Sequence, residues 1–149
     1  VSDLLDAVDT AHSNIERLAD PSSFRLATDQ VMEVVRQCGA QSVLAASAAA
    51  ERLVGALLSS CSHLVSLSSR SIETSSNVLI IDINLASGTT VAEAARRARG
   101  LGAQHVQAVV LHQVTAATVQ ATDCGVEALT VLGPRPATRP SSTTDSGLW

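Results

Sequence analysis

Two apolar runs of strand length, 78–83 and 106–111, flank a segment of helical pattern at 90–99, with Gly100-Leu101-Gly102 between that helix and the second run. Neither run alternates apolar with polar residues, as a strand with one wet face would. Two such strands joined through a helix form a parallel crossover, and a parallel sheet needs helices over both faces. The pattern therefore predicts an α/β fold: a parallel, Rossmann-like sheet flanked by helices.

The rest of the chain extends this unit. Leu4, Leu5, Val8, Ala11, Ile15 and Leu18 recur at helical spacing and predict an amphipathic first helix. Asp20-Pro21-Ser22-Ser23 ends it and offers a new N-cap. A second helix follows, burying Phe24, Ala27, Val31, Val34 and Val35 and closing at Gly39. Strands are expected at 42–46, 63–67 and 126–132, and helices at 48–58 and 115–124. Thr90 and Glu93 have capping-box spacing, which sets the start of the 90–99 helix. Arg96, Arg97 and Arg99 lie in its last turns, solvated and favourable to the dipole. The expected organisation is two N-terminal helices in 1–38, an α/β core in 39–133, and a Pro- and Ser/Thr-rich disordered tail in 134–149.

Composition removes several classes of function. The chain has 149 residues and a net charge of −4, and every basic residue is Arg, which argues against a nucleic-acid surface. Phe24 and Trp149 are the only aromatics, so there is little on which to stack a base. Cys38, Cys61 and Cys124 show no metal-like spacing and are expected as reduced thiols. His63, His105 and His112 begin or lie within apolar strand segments and read as structural. His12 sits among polar residues of the first helix. No apolar run reaches the ~18–20 residues that span a bilayer. The acidic, amphipathic start is unlike a signal peptide, so no membrane association and a cytoplasmic location are expected.

The chemistry concentrates where the 78–83 strand meets its helix. Asp82 and Asn84 flank Ile83, then Leu85-Ala86-Ser87-Gly88-Thr89-Thr90 forms a small turn opening the helix. Such a turn offers backbone N–H groups and hydroxyls to an anion, with the helix N-terminus adding favourable partial charge. The Asp82 carboxylate stands ready to accept hydrogen bonds from sugar hydroxyls. A ribose carrying a 5′-phosphate satisfies both halves. Asn84 is open to a sugar contact or to a turn role.

This segment resembles the signature of the type I phosphoribosyltransferases: four apolar residues, two acidic ones, a short hydroxyl run, then Gly-x-Thr or Gly-x-Ser. Asp82 matches the first acidic position, Ser87 and Gly88 the phosphate turn, and Thr90 the closing hydroxyl, while Ile83 replaces the second acidic residue. Gly100 to Val106 resembles the following turn and strand of that family, and Asp123 to Leu129 the closing segment of its orotate-type members. The resemblance implies a phosphoribosyltransferase-type fold and a phosphoribosyl pyrophosphate or nucleotide ligand. Asp82 would hold the ribose, and Ala86, Ser87, Gly88, Thr89 and Thr90 would cradle the 5′-phosphate. It also implies Mg²⁺ accompanying the pyrophosphate, a pyrophosphate loop at Ala46-Ser47-Ala48-Ala49-Ala50, and a homodimer. Glu51 stands just beyond that loop, where it would repel pyrophosphate, and Arg52 reads either as a phosphate partner or as a helix-surface residue. Arg70 is the one cation expected to fold over the leaving group, with Asp82 as its catalytic companion.

Two functions compete on these residues. One is a transferase-type protein that binds a phosphorylated ribose or nucleotide, with full, reduced or no turnover. The other is a non-enzymatic regulatory or assembly protein that keeps the fold. The missing carboxylate at Ile83, the alanine-rich first loop and the short interval before residue 78 favour the second.

Overall fold

The computed structural model describes residues 2–67 and 77–133, with side chains from Leu5 onward. The elements in chain order are α1 (Ser2–Arg17), α2 (Pro21–Cys38), β1 (Ser42–Ala45), α3 (Ala48–Ser60), β2 (Val65–Ser66), β3 (Asn77–Leu85), α4 (Thr89–Gly100), β4 (His105–Gln113), a 3₁₀ turn (Ala121–Cys124) and β5 (Leu129–Val131). The five strands form one sheet in the order β2-β1-β3-β4-β5, and every pairing is parallel. The expected Rossmann-like α/β architecture is therefore observed. The expected tail at 134–149 and Arg70 lie outside the described residues.

Both faces of the sheet are covered. Leu79, Ile81 and Ile83 of β3 pack with Val43, Val109 and Leu111 under α2 and α3, joined by Leu18. Val78, Ile80, Val106, Ala108 and Val110 pack on the opposite face under α4 and the 3₁₀ turn. Central β3 is buried on both sides, which is why its sequence is a continuous apolar run. Asp82, 4% exposed, is the polar interruption in it.

The helix boundaries follow local chemistry. Asp20 caps α2 by accepting from Ser23 N–H at 3.0 Å, and Gly39 ends that helix at φ 67. Helix α4 departs from expectation: Gly88 is its N-cap and Thr90 already lies in its first turn, so the Thr90–Glu93 capping box does not form. The expected helix at 115–124 shrinks to the 3₁₀ turn. Upstream of it, Gln113 Nε2 donates to the Thr115 and Ala117 carbonyls and so takes acceptors that a helix would use. Strand β2 is only two residues long, because its partner β1 is short and it pairs on one side only. His63 therefore falls in a turn, where Cys61 Sγ lies 3.1 Å from its Nδ1.

Helix α1 forms as expected, but the expected face is only partly turned inward. Leu18, just after the helix, is buried as expected, whereas Leu5, Val8 and Ile15 are 60%, 48% and 41% exposed and Ala7 and Asn14 are buried instead. The reason is steric and polar together. A stripe of small residues brings the α1 backbone close to the carboxyl end of β3, and the Ala11 carbonyl then accepts from Asn84 Nδ2 at 3.2 Å.

Candidate functional site

In open α/β sheets the crevice for ligands opens at the carboxyl ends of the strands, where strand order reverses. In this sheet the reversal falls between β1 and β3. β1 pairs with β3 only as far as Ala45 opposite Ile81, and Ala46 N–H makes one further bond to the Ile81 carbonyl. Beyond that point β1 turns away into α3, and the Ile83 N–H has no strand partner on that side. Asp82 Oδ1 accepts from this N–H at 2.8 Å and from the Ser47 hydroxyl at 2.7 Å.

Both bonds fall on Oδ1; Oδ2 accepts none from the described residues. Ser47 is the N-cap residue of α3, yet its side chain makes no capping bond because it reaches Asp82 instead. Burial pushes the Asp82 carboxyl above its ordinary value, and the bonds from Ser47 and Ile83 N–H pull the other way.

The turn after β3 is held from behind. Gly88 has φ +92, and a Cβ there would lie 2.8 Å from Cys124 Sγ and 3.3 Å from Val119 Cγ1. Glycine is thus demanded by the protein interior as well as by the backbone angle. Thr115 Oγ1 donates to the Ala86 carbonyl at 3.3 Å and Val114 N–H to the Leu85 carbonyl at 2.9 Å, so the end of β4 braces the same turn. Ser87 Oγ lies 2.9 Å from Thr89 Oγ1 and accepts from Thr89 N–H at 3.3 Å, while Gly88, the N-cap residue of α4, has no side chain to offer.

Asp82, Ala86, Ser87, Gly88, Thr89 and Thr90 line one cavity of about 230 Å³. The sequence-predicted binding residues are therefore neighbours in space. Three α1 residues, Ala7, Val8 and Ala11, form another wall of the same cavity. Sequence patterning did not point to them as lining residues, since helical periodicity carries no information about which sheet end a helix crosses. A second cavity of about 570 Å³ lies beside the first, with Ser47, Glu51 and Arg97 among its lining residues.

Other candidates have different employment. Arg52 donates to the Leu18 carbonyl at 3.1 Å and stacks 4.3 Å from the Phe24 ring centroid, so it joins the α1–α2 junction to α3. Asn84 gives its amide to α1, donating to Ala11 and accepting from Asn14 Nδ2 at 2.8 Å. Arg99 reaches the Gly125 carbonyl rather than solvent alone. His105 lies 3.3 Å from Glu127, and His112 is held below its ordinary value by burial and then by Arg17.

Mg²⁺ takes about six oxygen ligands in near-octahedral geometry. Among the described residues Asp82 is the single carboxylate lining the first cavity, and its Oδ1 is already engaged twice. This donor set does not make a resident metal site. Among the described residues no group of three or more His, Cys, Asp or Glu side chains is placed to hold a metal, and no helix is long and apolar enough to cross a membrane. No family model matches the sequence, and no curated protein matches it.

Proposed function

We propose that the protein is a phosphoribosyltransferase-like binding protein whose cavity at the β1–β3 fork takes a ligand containing ribose 5-phosphate. The observation that carries this reading is that Asp82 and the 86–90 turn line one cavity, at the end of the sheet where such ligands bind. The turn and the start of α4 receive the phosphate, and Asp82 Oδ2 accepts from a ribose hydroxyl.

The site is better equipped to hold such a ligand than to transfer its sugar. Breaking the bond to a pyrophosphate leaving group requires cations where negative charge develops. Among the described residues no Arg lines the first cavity, Arg97 lines the second beside Glu51, and Arg52 is occupied with Leu18 and Phe24. Asn84, next to the lost second carboxylate, is bound to α1. A sensing or regulatory role that keeps the fold and the phosphate turn fits these residues.

Calorimetry with ribose 5-phosphate, inorganic phosphate, phosphoribosyl pyrophosphate with and without Mg²⁺, and a nucleoside monophosphate tests the reading. Ribose 5-phosphate is expected to bind, and Asp82→Asn is expected to weaken it more than inorganic phosphate. Absence of binding by both, or equal losses for the two ligands, would overturn it.

A further inference from the structure

We infer that the site takes a small sugar monophosphate with a free anomeric end, and that helix α1 sets this limit. The inference rests on the phosphate-turn reading above and narrows the ligand within it.

Helix α1 is fastened across the carboxyl end of β3 by polar contacts. Asn14, 4% exposed, donates to Asn84 Oδ1 at 2.8 Å, and Asn84 Nδ2 donates to the Ala11 carbonyl at 3.2 Å. A part-buried amide pair of this kind fixes the position of the helix, because leaving the buried Asn14 amide unpaired is costly. The helix then turns Ala7, Val8 and Ala11 toward the cavity that holds the phosphate turn.

That wall decides what fits. The cavity of about 230 Å³ is smaller than the ~300–1,000 Å³ of pockets for drug-sized ligands. The methyl groups of Ala7, Val8 and Ala11 give no hydrogen bond to a nucleobase edge, so a base placed there would leave its polar atoms unpaired. Among the described residues no aromatic side chain lines the cavity to compensate by stacking.

The other side is bounded by a side-chain hydrogen bond. Ser47 lines the second cavity and Asp82 the first, and the 2.7 Å bond between them joins the two walls. A pyrophosphate passing from one cavity to the other would have to break that bond, and the second cavity offers it Glu51 as well as Arg97. The remaining volume suits one phosphate and one sugar. Asp82, 4% exposed with Oδ2 taking no bond from the described residues, is the polar group that recognises the sugar.

The test compares four ligands on the parent chain and on two α1 variants by calorimetry, with circular dichroism to verify folding. In the parent, ribose 5-phosphate should bind about tenfold or more tighter than a nucleoside monophosphate or phosphoribosyl pyrophosphate. Ala11→Leu fills the sugar side and should weaken ribose 5-phosphate about tenfold while sparing inorganic phosphate. Val8→Ala, at a half-exposed position that perturbs the fold little, should narrow the gap between ribose 5-phosphate and the nucleotide. Equal affinity of the parent for all three ribose ligands would overturn the inference. So would a folded Ala11→Leu that binds ribose 5-phosphate as the parent does, or a Val8→Ala that leaves the gap unchanged. In each of these cases phosphate-turn binding itself stands. If the parent binds neither inorganic phosphate nor ribose 5-phosphate, the underlying reading falls and the inference with it.

Discussion

The Ser47 hydroxyl donates to Asp82 Oδ1 at 2.7 Å across the fork where β1 leaves β3. That bond draws the serine away from capping α3 and leaves the carboxylate holding both a side chain and the Ile83 N–H. Asp82 is therefore a structural clasp at the switch point and, in the proposed function, a ligand group through its other oxygen. The two roles separate by substitution.

Asp82→Asn keeps an acceptor at Oδ1 and removes a buried charge. The folded carboxyl has its pKa raised, so its contribution to stability is full below the ordinary value of 3.8 and is lost as pH rises through the folded value. At neutral pH the charged group is a cost, and Asn should be as stable as the parent or slightly more so. Asp82→Ala strands the Ile83 N–H and the Ser47 hydroxyl and should lose about 1–3 kcal/mol. Urea unfolding at pH 7 distinguishes the variants. A Asp82→Asn loss equal to that of Asp82→Ala would contradict the clasp.

Gly88 is constrained from inside the protein. A methyl group there meets Cys124 Sγ at 2.8 Å, and its φ of +92 is unfavourable to any side chain. Gly88→Ala should cost about 1–3 kcal/mol, from overpacking together with backbone strain. The same change in a Cys124→Ala background should cost less, since one of the two clashes is gone. Additive losses in a double-mutant cycle by thermal unfolding would show that the thiol does not set the constraint.

The Asn14–Asn84 pair should be coupled. Asn14→Ala leaves Asn84 Oδ1 without its donor and should destabilise the fold by about 1–3 kcal/mol. Because Ala7 within α1 and Leu18 directly after it are its buried apolar anchors, the loss should appear first as faster amide exchange in Ser2–Arg17. Exchange rates unchanged in that helix would mean that it is held by other contacts.

His112 gives the fold a pH dependence. Burial, then Arg17, lowers its pKa from 6.5 in the folded state. The unfolded imidazole binds its proton more readily, so the stability from His112 is full above 6.5 and falls as pH drops from there toward the folded value. Melting temperature should decline over that window, and His112→Gln should flatten the decline. Arg17→Gln should return the imidazole only part of the way toward 6.5 in an NMR titration, because burial is the larger cause.

The β3–α4–β4 unit was legible because its determinants are local. Continuous apolar runs, a crossover helix and a small-residue turn specify a parallel unit with an anion-facing loop wherever they occur. The grouping of Asp82 with residues 86–90 followed from that, since a strand end and the turn after it are neighbours by covalent connection. The N-cap of α4 lies two residues before the expected Thr90 for a reason of the same kind. Thr90 has the chemistry of a cap, but the interior behind Gly88 decides where the chain begins to coil.

What tertiary structure alone decided is the set of contacts between residues far apart in the chain. Helix α1 carries two stripes of suitable spacing, Leu5-Val8-Ile15 and Ala7-Ala11-Asn14, and periodicity cannot choose between them. The choice is made by the end of β3, where Asn84 binds Asn14 and the Ala11 carbonyl and only small side chains allow so close an approach. Cys124 behind Gly88 and Ser47 on Asp82 are likewise products of the sheet order. The sequence by itself determined a parallel α/β sheet with a phosphate-type turn at one strand end, through local periodicity and turn chemistry. The folded chain decided what encloses that turn, because enclosure depends on packing between distant segments.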